Sequence, residues 1–557
     1  MNKALTNGSP AAGVTYAERR WVWVFAALVM ALTSLPYVLG YAFENQQSVF
    51  SGFIFAVEDG NSYIAKMLSG AYGAWLFRTP YTAYPQKGVL MFLPYLLLGK
   101  LVSPPGMHVQ LVALYHWFRI GAGFLAVLAT YDFLTYFIQS VPLRRFGLAL
   151  ATLGGGLGWI LVLGGRDSWL GSLPLEFYSP ETFGFLGLYG FAHLALARAL
   201  LLWALLAYLR ALDAPDQGLA KPALKITALW LLAGLAQPLV TLVIGGVIGL
   251  YLAGMVAWQM WMSRQGTLPG WARWRRAMLL AIWAGILPVV LVFYNLWAMR
   301  SDPFLQLWTN QNLILSPHPA HYLLAYGLVL PFAWVGGIST WRKDAWRGGL
   351  LVCWALALPL LAYVPVNLQR RLPEGGWVAW VVLAMIAMEG WRSQAGEAVR
   401  RSRWAAWLFC LAFPSTLFLL LGGVLSTLRP TTPIFRPSDE VACFLYLAEH
   451  AQVGDEVLSA YETGNALPAW APVRVVIGHG PESVNLAVLR SDVSRFYSPG
   501  TLGQERLNLI TQQKVRYVFW GPTEQALGSW EPTQASYLRS VFQSGVYTVF
   551  EVAAESP

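Results

Sequence analysis

Val57-Glu58-Asp59-Gly60-Asn61-Ser62-Tyr63-Ile64-Ala65-Lys66 is a polar island with two adjacent carboxylates, just beyond the first long apolar run at 21–40. The side of the membrane on which it lies decides the reading of everything after it. The run is about 20 residues, enough to cross roughly 30 Å of hydrocarbon. Arg19-Arg20 precede it, and Lys and Arg favour the cytoplasmic side. The chain therefore exits outward, and the island falls outside. The run lacks a small-residue cleavage site and reads as a retained helix rather than a signal peptide.

Composition supports many such crossings. The 557 residues are 56% hydrophobic and 12% charged, with a mean hydropathy of +0.49, whereas soluble domains carry about 25% charged residues. The 27 Trp and 25 Tyr suit membrane interfaces, where amphipathic rings settle at headgroup level. A net charge of +10 suggests cytoplasmic loops rather than nucleic acid, because aromatic and basic residues mix only at membrane edges. Cys353, Cys410 and Cys443 are too scattered for a disulfide framework or a metal set. The chain carries no P-loop, no paired metal-ligand cysteines and no nucleophilic serine motif.

Outward from the island, the run at 89–101 is too short for a span and reads as interfacial or re-entrant. All of 41–108 is then one large outer loop. Further helices follow at 109–138, 146–164 and 183–209. The run 226–262 is broken at Gln237-Pro238, where proline removes a backbone donor, giving a hairpin of two helices. Helices at 277–298 and 404–427, with three between them, bring the count to about eleven transmembrane helices. Arg144-Arg145, Arg264 to Arg276, Arg342 to Arg347 and the stretch 392–403 all fall on the cytoplasmic side. The outward exception is Arg370-Arg371.

The fold expected is thus a polytopic α-helical membrane protein with a C-terminal α/β soluble domain. Its parts are a cytoplasmic tail (1–20), a transmembrane domain (21–429) and an extracytoplasmic domain (430–557) entered through Pro430, Pro433 and Pro437. In that last part Ser438 reads as the cap of a helix over 439–451. Strands are expected at 456–459, 473–477, 516–520 and 547–552, with helices at 504–513 and 533–541.

Two outer features carry chemistry. Asp59 reads as the start of a helix, where negative charge suits the dipole. The Glu58-Asp59 pair also suits general-base work, with one carboxylate taking a proton and the other orienting a hydroxyl or a cation. Arg370 and Arg371 run against the topogenic bias. Either they snorkel to headgroups or they clamp a phosphate, which a guanidinium fork matches well. His193 reads as a core histidine and Glu181 and His318 as polar outer-loop residues, while His479 and Glu482 fit a turn.

Several stretches resemble the GT-C membrane glycosyltransferases, a group that includes the protein O-mannosyltransferases and aminoarabinose transferases. These are Val57 to Met67, Pro80-Tyr81-Thr82, Leu96-Leu97-Leu98-Gly99-Lys100-Leu101, and Gln369-Arg370-Arg371 with Glu374-Gly375. The resemblance runs over essentially the whole chain and is similar to an uncharacterised bacterial branch. It implies transfer of a sugar from a polyprenyl-phosphate-linked donor to a glycan, lipid or protein acceptor at the outer face of the plasma membrane. It implies Asp59 or Glu58 as base, with Asp59 favoured, and Arg370 and Arg371 on the donor phosphate. Lys66, His318 and Glu181 would assist in substrate binding. No cofactor is required by the pattern, although the carboxylates leave a divalent cation open. Two other classes stay open: a transporter or flippase for a lipid-linked intermediate, which would need repeated broken helices, and a non-catalytic envelope scaffold.

Overall fold

A computed structural model describes residues 14–265, 271–391 and 397–553. Residues 1–13 of the expected tail and 392–396 of the expected basic loop lie outside those residues; 16–20 and 397–403 are helical, within the first helix and the helix Glu397–Ala412. Helix α1 (Tyr16–Ala42) is followed by a short strand β1 (Ser48–Phe50), then α2 (Val57–Ala71) and α3 (Leu93–Gly99). Next come α4 (Met107–Phe137), α5 (Val141–Leu153), α6 (Gly158–Leu163), α7 (Gly184–Gly190) and α8 (Ala192–Asp213). The chain continues through α9 (Ala220–Ala236), α10 (Pro238–Arg264), α11 (Trp271–Ser301), α12 (Pro303–Gln311), α13 (Ala320–Tyr326) and α14 (Leu330–Lys343). The last long helices are α15 (Ala345–Tyr363), α16 (Gly376–Gly390), α17 (Glu397–Ala412) and α18 (Pro414–Thr427).

Among the described residues eight helical segments are long and apolar enough to span a membrane, or nine if the bent pair α13–α14 is one span. With the bent pair counted, two of the eleven expected helices are missing from that number. The run at 146–164 breaks at Gly154-Gly155-Gly156, leaving α5 and the six-residue α6. A glycine run has weak helix propensity, and the freed backbone groups find other partners, as a membrane interior requires. Gly155 N–H donates to Ala412 O (2.8 Å) and Leu157 N–H to Leu324 O (3.2 Å). Helix α9 has 17 residues, about 26 Å at 1.5 Å per residue. The break at Gln237-Pro238 separates α9 from α10, and 89–101 contains only the seven-residue α3.

The chain divides into two compact units, one of 1–34, 118–294 and 314–421, the other of 35–117, 295–313 and 422–557. In the first, α8 and the span Gln369–Gly390, which ends in α16, are central: 83% and 89% of their apolar windows are buried, against 33% for α11. The outer helices keep apolar side chains on their exposed faces, as lipid contact requires. Helix α16 packs on α14, where Gly336 lets that helix approach the backbone at Leu383. Small residues at such crossings permit the close contact that drives packing in lipid.

The second unit contains a five-stranded sheet near the C-terminus. Its elements are β2 (Phe435–Pro437), α19 (Ser438–His450), β3 (Glu456–Leu458), α20 (Tyr461–Ala466), β4 (Arg474–Val475), α21 (Leu486–Tyr497), α22 (Gly503–Gln513), β5 (Val515–Trp520), β6 (Leu538–Ser544) and β7 (Tyr547–Val552). The sheet order is β4-β3-β5-β7-β6, with β4, β3 and β5 parallel and β7 and β6 antiparallel. The segment 533–541, expected as a helix, instead enters β6, which returns as β7 across Gly545-Val546. Gly545 takes a positive φ of 54° there, and hairpin pairing overrides local propensity. Strand β2 pairs antiparallel with β1. Ser438 is the first residue of α19, whose cap position is Pro437.

Candidate active site

Helix α2 lays its polar residues on two faces. Its N-cap is Ala56, in the left-handed region at φ 49°, with no side-chain cap. Glu58 and Asp59 are therefore the second and third helical residues, inside the positive end of the dipole. The helix starts earlier than expected, and Asp59 does not cap it. Glu58 is exposed and the Asp59 side chain is 45% exposed. Ser62 and Lys66, four residues apart and so on one face, are buried. Stacking of Tyr63 on Tyr95 (4.8 Å) holds α2 against α3.

The buried face meets the loop that leaves β4. Lys66 Nζ donates to Glu482 Oε1 at 2.6 Å, and also to Ser62 Oγ. Ser62 Oγ donates to Glu482 Oε1 at 2.9 Å, and Thr79 Oγ1 donates to Glu482 Oε2. The ammonium lies over the Phe92 ring at 4.5 Å. Burial by itself would raise the Glu482 carboxyl. The Lys66 ammonium, the His479 ring and the hydrogen bonds from Lys66 and Thr79 outweigh it and hold the group below the usual carboxylate range. The Lys66 side chain is 1% exposed, so its charge is taken up by Glu482 inside the protein.

The exposed face is tied down from the same direction. Tyr461 OH donates to Glu58 Oε2 (2.9 Å) and accepts from Gly480 N–H (2.8 Å). Burial, with the Glu58 carboxylate beside it, pushes the Tyr461 phenol upward, so it stays a donor. Asn61 Nδ2 donates to Asn465 Oδ1 (2.8 Å), and Asn465 Nδ2 donates to Glu58 O (3.4 Å). Asp59 Oδ1 is 3.5 Å from His479 Nε2. The result is a carboxylate pair open to solvent on a helix whose other polar groups are buried and partnered. Such an arrangement can take a proton from a hydroxyl at Asp59 while Glu58 keeps a fixed orientation.

The remaining expected residues belong to the first unit. Arg370 and Arg371 close a short 3-10 turn, Gln369–Arg371. The Arg370 guanidinium lies over Tyr178 at 4.5 Å, and Arg371 Nε is 3.5 Å from Glu181 Oε1. Glu181 is buried and accepts from Ser179 Oγ at 3.3 Å. Below the turn Glu374 pairs with Arg198 at 2.5 Å, both buried, while Arg198 also donates to Pro180 O (2.7 Å) and Phe183 O (3.0 Å). Gly375, at φ 74°, caps α16 where a side chain would be strained. His318 Nδ1 accepts from Ala320 N–H (3.2 Å) within its own turn. Among the described residues, no group of three or more His, Cys, Asp or Glu side chains is placed to hold a metal ion.

Tyr461, His479, Glu482 and the Arg198–Glu374 pair are the participants that the sequence did not single out as site residues. For His479 and Glu482 the local signal is the Gly478-His479-Gly480-Pro481-Glu482 turn, with His479 between two glycines and Glu482 after the proline.

No family model matches the chain, and no curated protein sequence does. Its structure, however, is similar to the apo oligosaccharyltransferase of Archaeoglobus fulgidus, with a TM-score of 0.55 at 11% identity over 91% of this chain and 70% of that one. The same enzyme, AglB, in complex with an inhibitory peptide and a dolichol-phosphate gives 0.52 at 11% identity, with the same coverage. The mycobacterial arabinofuranosyltransferase AftD gives 0.55 at 15% identity over 96% of this chain; this chain spans 42% of AftD. Both are GT-C superfamily glycosyltransferases, and this protein has the GT-C fold. With its apolar helices, it is a multi-pass membrane protein.

Proposed function

We propose that this protein is a membrane glycosyltransferase that moves a sugar from a polyprenyl-phosphate-linked donor to an acceptor hydroxyl at the outer face of the plasma membrane. The observation that carries this reading is the solvent-open Glu58-Asp59 pair, with Glu58 held by Tyr461 and Asp59 facing His479, within a GT-C fold. Asp59 is the base: it takes the proton as the acceptor oxygen bonds to the anomeric carbon. The bond from that carbon to the phosphate oxygen breaks, and the lipid phosphate leaves with its electron pair. Glu58, fixed by Tyr461, orients the acceptor. The resemblance to the GT-C enzymes assigns Arg370 and Arg371, in the first unit, to the donor phosphate. The dolichol-phosphate held by AglB supports a lipid-phosphate donor. Outward orientation of the site rests on the Lys and Arg bias of the loops.

The test is sugar transfer from purified polyprenyl-phosphate donors in proteoliposomes, comparing wild type with Asp59→Asn and Glu58→Gln. General-base removal should lower kcat by about 10²–10⁴-fold for Asp59→Asn, with a smaller loss for Glu58→Gln. Equal turnover in all three would remove the site assignment.

A further inference from the structure

The loops that leave the carboxyl ends of the parallel strands β3 and β4 deliver Tyr461 and His479 to α2. Crevices outside the carboxyl ends of parallel strands are where open α/β sheets place ligands. The second of these loops is held on every side. Gly478 N–H and His479 N–H both donate to Ser483 Oγ (3.1 and 3.2 Å), and Ser483 Oγ donates to Tyr81 O (2.8 Å). Ser483 N–H and Glu482 N–H return to His479 O (2.7 and 3.0 Å). From α12, Gln311 Nε2 donates to the carbonyls of Pro481 (3.2 Å) and Ser483 (3.0 Å), while Gln311 Oε1 accepts from Asn485 N–H (3.1 Å). A turn braced this way fixes the position of its side chains.

His479 is the side chain that this bracing places. It is 5% exposed, with its ring 5.4 Å from that of Tyr81. Its Nε2 faces Asp59 Oδ1 and its Nδ1 faces Glu482 Oε1, each at 3.5 Å. Those separations exceed a hydrogen bond, and among the described residues Nδ1 has no hydrogen-bond partner. An imidazole buried between one open and one buried carboxylate, with an unmade bond, is an unusual use of a polar core group, since such groups are nearly always paired. A movement of about 0.5 Å would bring either side into hydrogen-bond range.

We infer that His479 is a positioning residue for Asp59, tying the solvent-open carboxylate to the buried Lys66–Glu482 pair, so that the C-terminal α/β region completes the active site. This rests on the proposed role of Asp59. Acceptor binding closes the gap between His479 Nε2 and Asp59 Oδ1 and fixes the carboxylate oxygen that takes the proton. A misplacement of about 1 Å in such a group costs roughly 100-fold in rate.

Two measurements on the full chain test this. In the first, no substrate is present: isotope-labelled histidine ring signals are recorded in detergent micelles, and His479→Gln assigns the residue among the seven histidines. Asp59→Asn should shift the His479 ring signals, and Glu58→Gln should leave them in place. Unmoved signals in Asp59→Asn overturn the inference. In the second, His479→Ala should lower kcat by roughly 10- to 100-fold with the donor KM unchanged, and His479→Gln, which keeps a nitrogen donor, should recover part of that loss. In the Asp59→Asn background, His479→Ala should cost nothing further; the same loss in both backgrounds overturns the inference. If His479→Ala does not fold, His479→Gln carries the cycle. A wild type that transfers from no lipid-phosphate donor would overturn the proposed function, and the ring signals would still decide the role of His479.

Discussion

Removing the Lys66 ammonium should be among the most damaging single changes in the second unit. The Lys66 and Glu482 side chains are 1% and 4% exposed and 2.6 Å apart, so Lys66→Met leaves a carboxylate buried without its main partner. Breaking a buried pair from one side costs about 3–5 kcal/mol. The lost contact with the Phe92 ring, at 4.5 Å, adds about 0.5–2 kcal/mol. Glu482→Gln strands the ammonium instead and falls in the same range. The double variant removes both charges and should cost little more than either alone, leaving a coupling of about 3 kcal/mol. Pulse proteolysis of the detergent-solubilised protein measures all three. Because the folded Glu482 carboxyl is held below its ordinary 4.5, its stabilising contribution is complete above that pH and is lost as pH falls through the lowered value. Lys66→Met removes the main cause of that lowering and leaves burial, which raises the carboxyl, so the deficit of this variant relative to wild type should shrink as pH falls. Additive single losses, or a cost under about 1 kcal/mol, would refute a tightly coupled buried pair.

Gly99→Ala and Gly70→Ala should each cost about 1–3 kcal/mol in thermal unfolding, because the added methyl meets the backbone carbonyl of Met67 or Leu96 where α2 and α3 touch. Burial pushes the Glu524 carboxyl from 4.5 up to about 7. At 1.36 kcal/mol per pKa unit, the folded state carries no such penalty below pH 4.5 and about 3 kcal/mol above pH 7. The stability of Glu524→Gln relative to wild type should therefore improve by that amount between pH 4 and pH 8, measured by denaturation across that range. Arg198→Met strands the buried Glu374 beneath the Arg370-Arg371 turn; it should lower the melting temperature and raise the donor KM more than it lowers kcat in the transfer assay.

Much of the helical framework is legible because its signals are local. The proline at Gln237-Pro238 ends α9 and starts α10, and the alternating apolar residues of 547–552 match β7. Breaks that depend on neighbours are not legible: an apolar run counts Gly154-Gly155-Gly156 as continuous, although Gly155 and Leu157 hand their backbone N–H groups to Ala412 and Leu324. In the same way 533–541 reads as amphipathic helix until β7 supplies a pairing partner. Glu58 and Asp59 stand out as adjacent charges after an apolar run. Their supporting residues do not, since nothing near Lys66 points to Glu482 and nothing near Glu58 points to Tyr461.

Glu482 lies 416 residues after Lys66. At about 5–20 residues per second, a ribosome takes about 20–80 s to travel between them. For that time the nascent α2 has a lysine with no counter-charge, and the chain between is being threaded into the membrane. The Lys66–Glu482 pair cannot form on a half-made chain; Glu58 acquires its Tyr461 contact, and Lys66 its counter-charge, only after the membrane helices have been synthesised.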